Sequence, residues 1–428
     1  MNYNFKTYTL SELYDISSGL SKKREEFGFG APFLTFKEVF HNPFVPEKLS
    51  ELANTSEKEQ LKCSIEEGDV FLTRTSEKFD ELGLSSVALK DYPNATFNGF
   101  TKRLRPNNLC KDILLPKYAA FYFRSFKFRN QVTSFSSMTT RASLNNEMIS
   151  KLTIDIPSIE TQENIIDIMW NLLEKENINV KIINSLEKMS QTLFKHWFID
   201  FEFPNEQGQP YKSSGGEKVE SELGKIPKGW GVFHLNEFAE SVSNSINKKE
   251  VKEARFLNTS DILEGHIADV EFNFTKDMPG QAKKLIQKKD ILYSEIRPKN
   301  KRYAYVHLEN ASEYVVSTKL MVIRVNEDIF SSKLLYLWLT MDEIVKQLQQ
   351  IAEDRSGTFP QITFSILSKF KFALPIKATL NRFENALEPL LDEIYELQCE
   401  NKKLAELRDA LLPKLLSGEI EIPDELGV

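Results

Sequence analysis

Two kinds of polar segment carry the side chains best suited to chemistry with another molecule. The first is Thr73-Arg74-Thr75-Ser76 with Lys78, and a counterpart follows at Ser294-Glu295-Ile296-Arg297-Pro298-Lys299-Asn300-Lys301-Arg302. The second is Thr140-Arg141-Ala142-Ser143, opposite Arg355-Ser356-Gly357-Thr358-Phe359-Pro360-Gln361. Arginine can make two parallel hydrogen bonds to guanine and glutamine two to adenine, while Lys, Ser, Thr and backbone amides hold phosphates. The candidates for such contacts are Thr73, Arg74, Thr75, Lys78, Arg141, Ser143, Arg297, Lys299, Lys301, Arg302, Arg355, Thr358 and Gln361. The plain alternative is a solvated loop at each position. That both loops are basic in both places weighs against it for the loops as a group.

Bond-breaking chemistry has no comparable foothold. His41-Asn42-Pro43-Phe44 approaches the Asn-Pro-Pro-aromatic motif with which amino-methyltransferases hold a flipped adenine, but it lacks the second proline, and no glycine-rich cofactor loop precedes it. No Gly-x-x-x-x-Gly-Lys-Ser/Thr phosphate loop is present. Glu250-Val251-Lys252 and Glu400-Asn401-Lys402 have a Glu-x-Lys shape used by nucleases, yet neither follows the Pro-Asp partner such sites need. Cys63, Cys110 and Cys399 are far apart and odd in number, and His41, His196, His234, His266 and His307 are scattered. Neither a disulfide framework nor a metal site is expected. The chain reads as non-catalytic.

Charge is unevenly placed. The formal net charge of −7 and the pI near 5.6 argue mildly against a nucleic-acid partner, because affinity for phosphate comes mainly from Lys and Arg. Locally the balance reverses: Thr101 to Arg141 holds nine Lys or Arg against one acid, and Lys276 to Ala304 nine against three. Ile376 to Val428 holds six basic residues against twelve acidic ones. Within the first basic stretch, Tyr118, Phe121, Tyr122, Phe123, Phe126 and Phe128 recur at helical spacing, which predicts core, leaving Arg124, Lys127 and Arg129 as further phosphate candidates. No apolar run approaches a membrane span and the N-terminus lacks an apolar signal core, so a soluble cytoplasmic protein is expected.

Two long amphipathic stretches organise the rest. In Ser158 to Phe203, apolar residues recur at Ile165, Ile168, Leu172, Ile182, Leu186, Met189 and Leu193. In Ile376 to Leu416 they recur at Phe383, Leu387, Leu390, Ile394, Leu397, Leu404, Leu411 and Leu415. That spacing is a helix with a coiled-coil-like seam, and two such helices can bury their stripes on each other. Asn179 and Asn401 either fix the register of such a pair or merely interrupt the pattern. Trp197, Phe198 and Phe201 are too apolar for a free surface, and are either capped by the neighbouring module or bind a partner subunit.

Before each long helix the same order of segments is found. Leu10-Ser11-Glu12-Leu13 returns as Leu235-Asn236-Glu237-Phe238, and Phe33-Leu34-Thr35 as Phe256-Leu257-Asn258. Asp69-Val70-Phe71-Leu72-Thr73 returns as Asp290-Ile291-Leu292-Tyr293-Ser294, and Thr101-Lys102 as Thr318-Lys319. Lys151 to Pro157 returns as Lys369 to Pro375. Five matches in order predict an internal duplication. Ser11 is expected to cap a short helix, Pro32 to Phe36 to form a strand, Gly19 to Gly30 to be a flexible loop, and Gln207 to Glu222 to be a coreless linker. The expected architecture is α+β: two similar mixed α/β domains separated by two long antiparallel helices forming a coiled coil, with a pseudo-twofold internal repeat.

Three stretches then bear on family. Leu223-Gly224-Lys225-Ile226-Pro227-Lys228-Gly229-Trp230 looks like the signature that opens a target-recognition domain in the specificity subunit of type I restriction-modification systems. Leu193-Phe194-Lys195-His196-Trp197-Phe198-Ile199-Asp200-Phe201 is similar to the end of that family's central helix, and Leu411-Leu412-Pro413-Lys414-Leu415-Leu416-Ser417-Gly418-Glu419-Ile420 to its C-terminal ending. The resemblance covers essentially the whole chain, although the first module offers only Asn4-Phe5-Lys6-Thr7-Tyr8 where the Gly-Trp opening would stand. It implies a target-recognition domain at 1–157, a central helix at 158–203, a linker at 204–222, a second target-recognition domain at 223–375, and a C-terminal helix and tail at 376–428. It further implies that each domain reads one half of a bipartite double-stranded DNA site, and that the helices set the gap and dock two modification (methyltransferase) subunits. Restriction (motor-endonuclease) subunits would join them. No cofactor of its own is implied; S-adenosylmethionine, ATP and Mg are expected on the partner subunits. Two other readings stay open: the DNA-recognition portion of a single-chain methyltransferase-endonuclease, or a coiled-coil protein adaptor.

Overall fold

The computed structural model describes residues 5–76, 81–135, 142–356 and 358–420. The chain divides into two compact units, one of Met1–Val180 with Gln398–Val428, the other of Lys181–Leu397. The first unit runs β1 (Lys6–Thr9), α1 (Leu10–Leu13), β2 (Tyr14–Ser18), β3 (Phe27–Leu34), α2 (Phe36–His41), β4 (Glu51–Ala53), α3 (Glu57–Lys62) and β5 (Val70–Thr73). It continues through β6 (Thr75–Ser76), β7 (Ser85–Val87), β8 (Thr96–Phe97), β9 (Thr101–Pro106), α4 (Asn108–Ile113), α5 (Pro116–Arg124), α6 (Phe126–Phe135), β10 (Ala142–Ser143), α7 (Asn146–Lys151) and β11 (Thr153–Ile156). The long helix α8 (Ile159–Phe194) begins in this unit and ends in the second.

Short helices begin where a Ser or Thr is followed three residues later by Glu, because each supplies what the other's backbone lacks. Thr35 Oγ1 accepts from the Glu38 N–H at 3.1 Å while the Glu38 carboxylate accepts from the Thr35 N–H at 2.9 Å. Ser56 and Glu59 repeat the arrangement. At α1 the capping residue is Thr9 rather than the expected Ser11, since the Glu12 carboxylate lies 2.7 Å from both the Thr9 N–H and its hydroxyl. The expected strand at Pro32 to Phe36 stops at Leu34 for the same reason: Thr35 turns the chain into α2. Gly19 to Gly30 is not all loop, because β3 starts at Phe27 and pairs with β4.

The central sheet of the first unit has the order β2-β9-β5-β7, and β1 pairs with β11. A second sheet sets β3 antiparallel to β4 and parallel to β8. Over the main sheet lies the aromatic face of α5 and α6, with Tyr118, Phe121, Tyr122, Phe123 and Phe128 buried. The same core takes in Ile165, Ile166 and Met169 of α8 and Leu415 and Leu416.

The second unit repeats this plan. After β12 (Lys218–Ser221) and β13 (Gly224–Pro227) come β14 (Gly231–His234), β15 (Ala239–Val242), β16 (Glu253–Leu257), β17 (Ile262–Leu263), β18 (His266–Ile267), β19 (Phe272–Phe274) and β20 (Ala282–Leu285). Then follow β21 (Ile291–Ser294), β22 (Tyr303–Tyr305), β23 (Tyr314–Ser317), β24 (Leu320–Val325), α9 (Ser332–Thr340), α10 (Asp342–Arg355), α11 (Phe364–Leu367) and β25 (Lys371–Leu374). The sheet β15-β24-β21-β22 matches β2-β9-β5-β7, the pair β14-β25 matches β1-β11, and β16 is parallel to β23 as β3 is to β8. The long helix α12 (Lys377–Ser417) starts here and ends in the first unit.

The segment expected to be a coreless linker is folded. β12 and β13 form a hairpin, Tyr211 stacks on Phe203 with ring centroids 4.6 Å apart, and its hydroxyl donates to the Glu217 carbonyl at 2.6 Å. A Cβ at Gly216 would stand 2.3 Å from the Tyr211 ring, so only glycine permits that close approach. One aromatic anchor is enough to order a polar stretch whose composition reads as flexible.

Within each unit the long helices meet. In the first, the Asn179 amide donates to Glu400 Oε2 at 2.7 Å and to Asn401 Oδ1 at 2.9 Å, and Arg408 Nη1 pairs with Glu176 at 3.0 Å. In the second, Ile183, Ile394 and Leu397 form one buried cluster, and Phe194 and Trp197 pack on Phe383. Numbers rise along one helix as they fall along the other. The two asparagines that interrupt the apolar pattern therefore bond to each other. No helix among the described residues is long and apolar enough to cross a membrane.

One polar interaction recurs at the root of each main sheet. Asp69, fully buried, receives Arg105 Nε at 2.8 Å and Nη2 at 2.6 Å; Asp290, 1% exposed, receives Arg324 Nε and Nη2 at 2.8 Å each. Replacing Asp290 with alanine removes the ion-pair partner of a half-buried guanidinium, and chemical denaturation of Asp290→Ala is expected to show a loss of about 3 kcal/mol; Asp69→Ala is expected to lose less, because Arg105 keeps its pair with Glu66 and its bonds to Ser64. Lys288→Ala, which removes only the surface pair with Glu309, is expected to cost under about 1 kcal/mol in the same assay.

Candidate nucleic-acid interface

In the first unit β5 runs up the middle of the sheet and the chain leaves it at Arg74 into β6. β6 pairs antiparallel with β10, Thr75 opposite Ser143 and Ser76 opposite Ala142, and the Leu144 N–H donates to the Arg74 carbonyl at 2.8 Å. In the second unit the chain leaves β21 and makes the corresponding closure. Ile296 bridges Gln361, the Ile362 N–H donates to the Glu295 carbonyl at 2.8 Å, and the Arg297 N–H donates to the Pro360 carbonyl at 3.1 Å. Four segments that are far apart in sequence thus become two sites, one at the end of each central strand.

The second site is the more sharply shaped. Arg297 and Lys301 both have left-handed backbone, φ +47° and +52°, at the two ends of a tight turn at Pro298–Asn300. Non-glycine residues held there cost on the order of 1–3 kcal/mol each and persist only where their surroundings enforce them. The enforcement comes from Gln349, a buried residue of α10 whose Oε1 accepts from the Lys299 N–H at 3.1 Å, and from Pro360. Gln349 was not singled out from sequence; its only signal is an amide on the apolar side of an amphipathic helix. The result is a fixed turn on which Arg297, Lys299 and Asn300 are exposed.

The thirteen candidate contact residues separate by what their side chains already do. Arg297, Lys299, Arg355 and Thr358 are exposed, as is Ser143, and neither Arg297 nor Arg355 has an ion-pair partner among the described residues. Arg74, Thr75 and Gln361 are half-buried within the loop closures. Thr73 is fully buried, its hydroxyl donating to the Glu81 carbonyl and accepting from the Leu84 N–H, both at 2.9 Å; it shapes the turn and cannot touch a ligand. Arg302 is likewise withdrawn, donating from Nη1 to the carbonyls of Ser260 and Ile262. Lys301 Nζ lies 3.4 Å from Glu264 and 3.3 Å from Asp342. Burial works against that charge, yet Asp342 and Glu264 together hold the ammonium above its ordinary range. Lys78 and Arg141 lie outside the described residues.

The cations of the aromatic run are also committed internally. Arg124 donates to the carbonyls of Ser85, Val39 and Phe40, Lys127 pairs with Asp155 at 2.5 Å, and Arg129 donates to the Leu82 carbonyl. His41-Asn42-Pro43-Phe44 is structural too, with Phe44 edge-on to Phe121 and Trp170. The cluster read either as capped by the neighbouring module or as binding a partner is covered: Trp197 and Phe198 are each 7% exposed, Trp197 packs on Phe383, and Phe198 and half-buried Phe201 pack on Trp230. Trp230 and Phe383 cap these rings from within the same unit, which leaves Trp197 and Phe198 little exposed surface.

Beside the second site, Glu187 of α8 faces Glu264 and Lys301, and burial, then the Glu264 charge, push its carboxyl up to about 7, with Lys301 opposing. In an unfolded chain the same carboxyl ionises near 4.5, so folding loses stability as pH rises from there through about 7, and the penalty is full above it. Glu187→Gln is expected to be more stable than the wild type by about 2 kcal/mol at pH 8, with the difference vanishing below pH 5; urea denaturation across that range measures it.

A domain fold that occurs twice in one chain agrees with the comparisons with known proteins. The sequence profile described as "Type I restriction modification DNA specificity domain" matches residues 2–188 and again 227–407. The type I restriction enzyme HindI specificity subunit of Haemophilus influenzae is 40% identical over 183 residues, a match spanning 42% of this chain and 39% of that one. The MjaIX specificity subunit of Methanocaldococcus jannaschii is 24% identical over 98% of this chain and 93% of its own. A crystal structure of a type I restriction-modification S subunit from M. genitalium superposes with a TM-score of 0.51 at 14% identity, covering 97% of this chain and 96% of that one, which shows a shared fold. With two copies of its domain accounting for most of the residues, the chain belongs to the type I restriction-modification DNA specificity family.

Proposed function

We propose that this chain is the specificity subunit of a type I restriction-modification complex and that its two units each read one half of a bipartite double-stranded DNA target. The observation that carries the reading is the twofold occurrence of one closure: an arginine-bearing loop leaves the end of the central strand and is hydrogen-bonded to a second polar loop, Arg74 to Leu144 in one unit and Glu295 to Ile362, with Arg297 to Pro360, in the other. Arg297, Lys299, Arg355 and Thr358 have the exposure and donor chemistry for phosphates and base edges. The left-handed turn at Arg297 supports this role, since a reading head that is rigid before binding loses less entropy on binding.

The long helices α8 and α12 supply the spacer in this reading. They act as an antiparallel coiled coil related by a pseudo-twofold, with the Asn179–Asn401 contact fixing its register. The same helices dock two modification subunits, and restriction subunits join that assembly. The chain selects the site and does no chemistry itself. Methyl transfer and ATP-driven cleavage belong to the partners, which carry S-adenosylmethionine, ATP and Mg, and the target base is flipped into a partner's pocket.

Three outcomes test the reading together. The isolated chain is expected to methylate nothing, whereas adding its modification subunit should give methylation of one sequence with two defined halves and a fixed gap, read by sequencing methylated bases. Affinity for DNA should fall steeply with salt; an adaptor that binds only proteins would show no DNA affinity at any salt. Exchanging the second unit for that of a relative should change one half-site and leave the other intact. Methylation by the chain alone would overturn the proposal.

A further inference from the structure

Each loop closure brings an exposed phenylalanine to the candidate arginine, through a different element in each unit. In the first unit the Arg74 N–H donates to the Phe100 carbonyl at 3.0 Å, and Phe100 is 60% exposed. In the second the Arg297 N–H donates to the carbonyl of Pro360, the residue after Phe359, and Phe359 is 49% exposed. The backbone under both rings is pinned. The Phe100 N–H donates to Asn98 Oδ1 at 2.7 Å, and the Phe359 N–H donates to Ser356 Oγ at 3.2 Å.

Other exposed rings differ. Phe272 and Phe274 lie under the chain's own cations, Arg255 at 4.4 Å and Lys276 at 5.4 Å. Phe29 and Phe126 have no such link to a candidate arginine among the described residues. Among the described residues only Phe100 and Phe359 combine exposure, a fixed backbone and a candidate arginine, and the combination recurs by separate routes, which is not what duplication of one ancestral loop would leave.

We infer that Phe100 and Phe359 are apolar base-contacting residues, one in each half-site reader, working beside Arg74 and Arg297. The inference rests on the DNA-reading role proposed for these loops. The occupant follows from the cations left exposed at the second closure, Arg297, Lys299 and Arg355, and from Arg74 at the first, since most cations of the stretch that follows Phe100 are held internally. Such surroundings draw a polyanion, and a phenyl ring that offers nothing to a phosphate must meet the apolar part of the nucleic acid. Bases present that part as the thymine methyl in the major groove or as the face of the ring at an opened step.

The test uses the full chain assembled with its modification subunit, on DNA carrying the methylated site found by sequencing. Dissociation constants are measured against salt for the wild type, Phe100→Ala, Phe359→Ala, Phe359→Leu and Arg297→Ala, alongside Tm. Each Phe→Ala change is expected to weaken binding of the cognate site about tenfold, to leave the salt slope and the affinity for random DNA unchanged, and to relax base preference in one half-site only, a different half for each variant. Phe359→Leu should recover part of the loss. Replacing each thymine in turn with deoxyuridine separates the two modes of contact: a position where the wild type loses affinity and the alanine variant does not marks a methyl contact, and its absence marks the base face. If both alanine variants bind as the wild type while Arg297→Ala is weakened, the inference is overturned and the parent reading stands. If Arg297→Ala also binds normally, the parent reading falls with it. A loss shared equally by cognate and random DNA, or one that follows a fall in Tm, would assign the rings a structural role and overturn the inference.

Discussion

A carboxylate shut away from water sits at the root of the central strand in each unit, and the position of the loop at the other end of that strand depends on it. Asp69 accepts from the Glu66 N–H at 2.8 Å and Asp290 from the Gln287 N–H at 2.8 Å, so each carboxylate closes the turn that starts its strand. The arginine fork that completes it comes from the neighbouring strand, Arg105 of β9 or Arg324 of β24. Burial pushes the Asp69 carboxyl upward, and the Arg105 fork with the Glu66 N–H pulls it back. Two strands are thereby fixed in register at one end, and what emerges at the other is held to that register. A buried pair of this kind adds little net stability but penalises alternatives heavily, because any slip leaves a charge unpaired.

The same chemistry explains why the basic stretches are less available than their net charge implies. Arg103 donates to the Ser64 carbonyl, Lys102 holds Ser18 and Asn146, and Arg124 caps three carbonyls. Burial, and then the nearby Arg74, hold the Lys102 ammonium below its usual range. Guanidinium groups are good at satisfying several buried carbonyls at once, so a fold of short strands and turns draws on them internally. What remains exposed is a small subset, and its placement on the loop closures gives those positions their interest.

The second unit is closed by aromatic rings rather than by charge. Phe194, Trp197 and Phe198 at the end of α8 meet Phe383 of α12 and Trp230 from the loop before β14. This seam ties both long helices to the sheet domain that follows, and Phe203 with Tyr211 extends it into the polar segment beyond. Edge-on and offset ring pairs of this sort hold geometry as well as area. The stiffness of this junction is built from ring contacts.

Periodicity and order were legible along the chain, because both are local. The apolar spacing of Ile165 to Leu193 and of Phe383 to Leu415 marked helices that run Ile159–Phe194 and Lys377–Ser417, and four of the five repeated segments fell at equivalent places in the two units; the match of Thr101-Lys102 with Thr318-Lys319 was two residues off, because Thr101 and Lys102 stand opposite Thr73 and Leu72 while Leu320 and Met321 stand opposite Ser294 and Tyr293. The motif at Leu223 to Trp230 pointed to the family. Residue type and spacing also marked the right loops, but they did not separate Arg297, which is exposed, from Arg302, which is bound to two carbonyls five residues later, or Thr75 from the buried Thr73. Trp197 and Phe198 read equally well as a docking patch or as core until Trp230 and Phe383 were seen to cover them. The joining of the two loops in each unit was decided only in three dimensions, because the bond from Leu144 to Arg74 and the bond from Arg297 to Pro360 link residues some 60 to 70 positions apart, and which polar group a side chain reaches across such a separation is set by the strands that carry it.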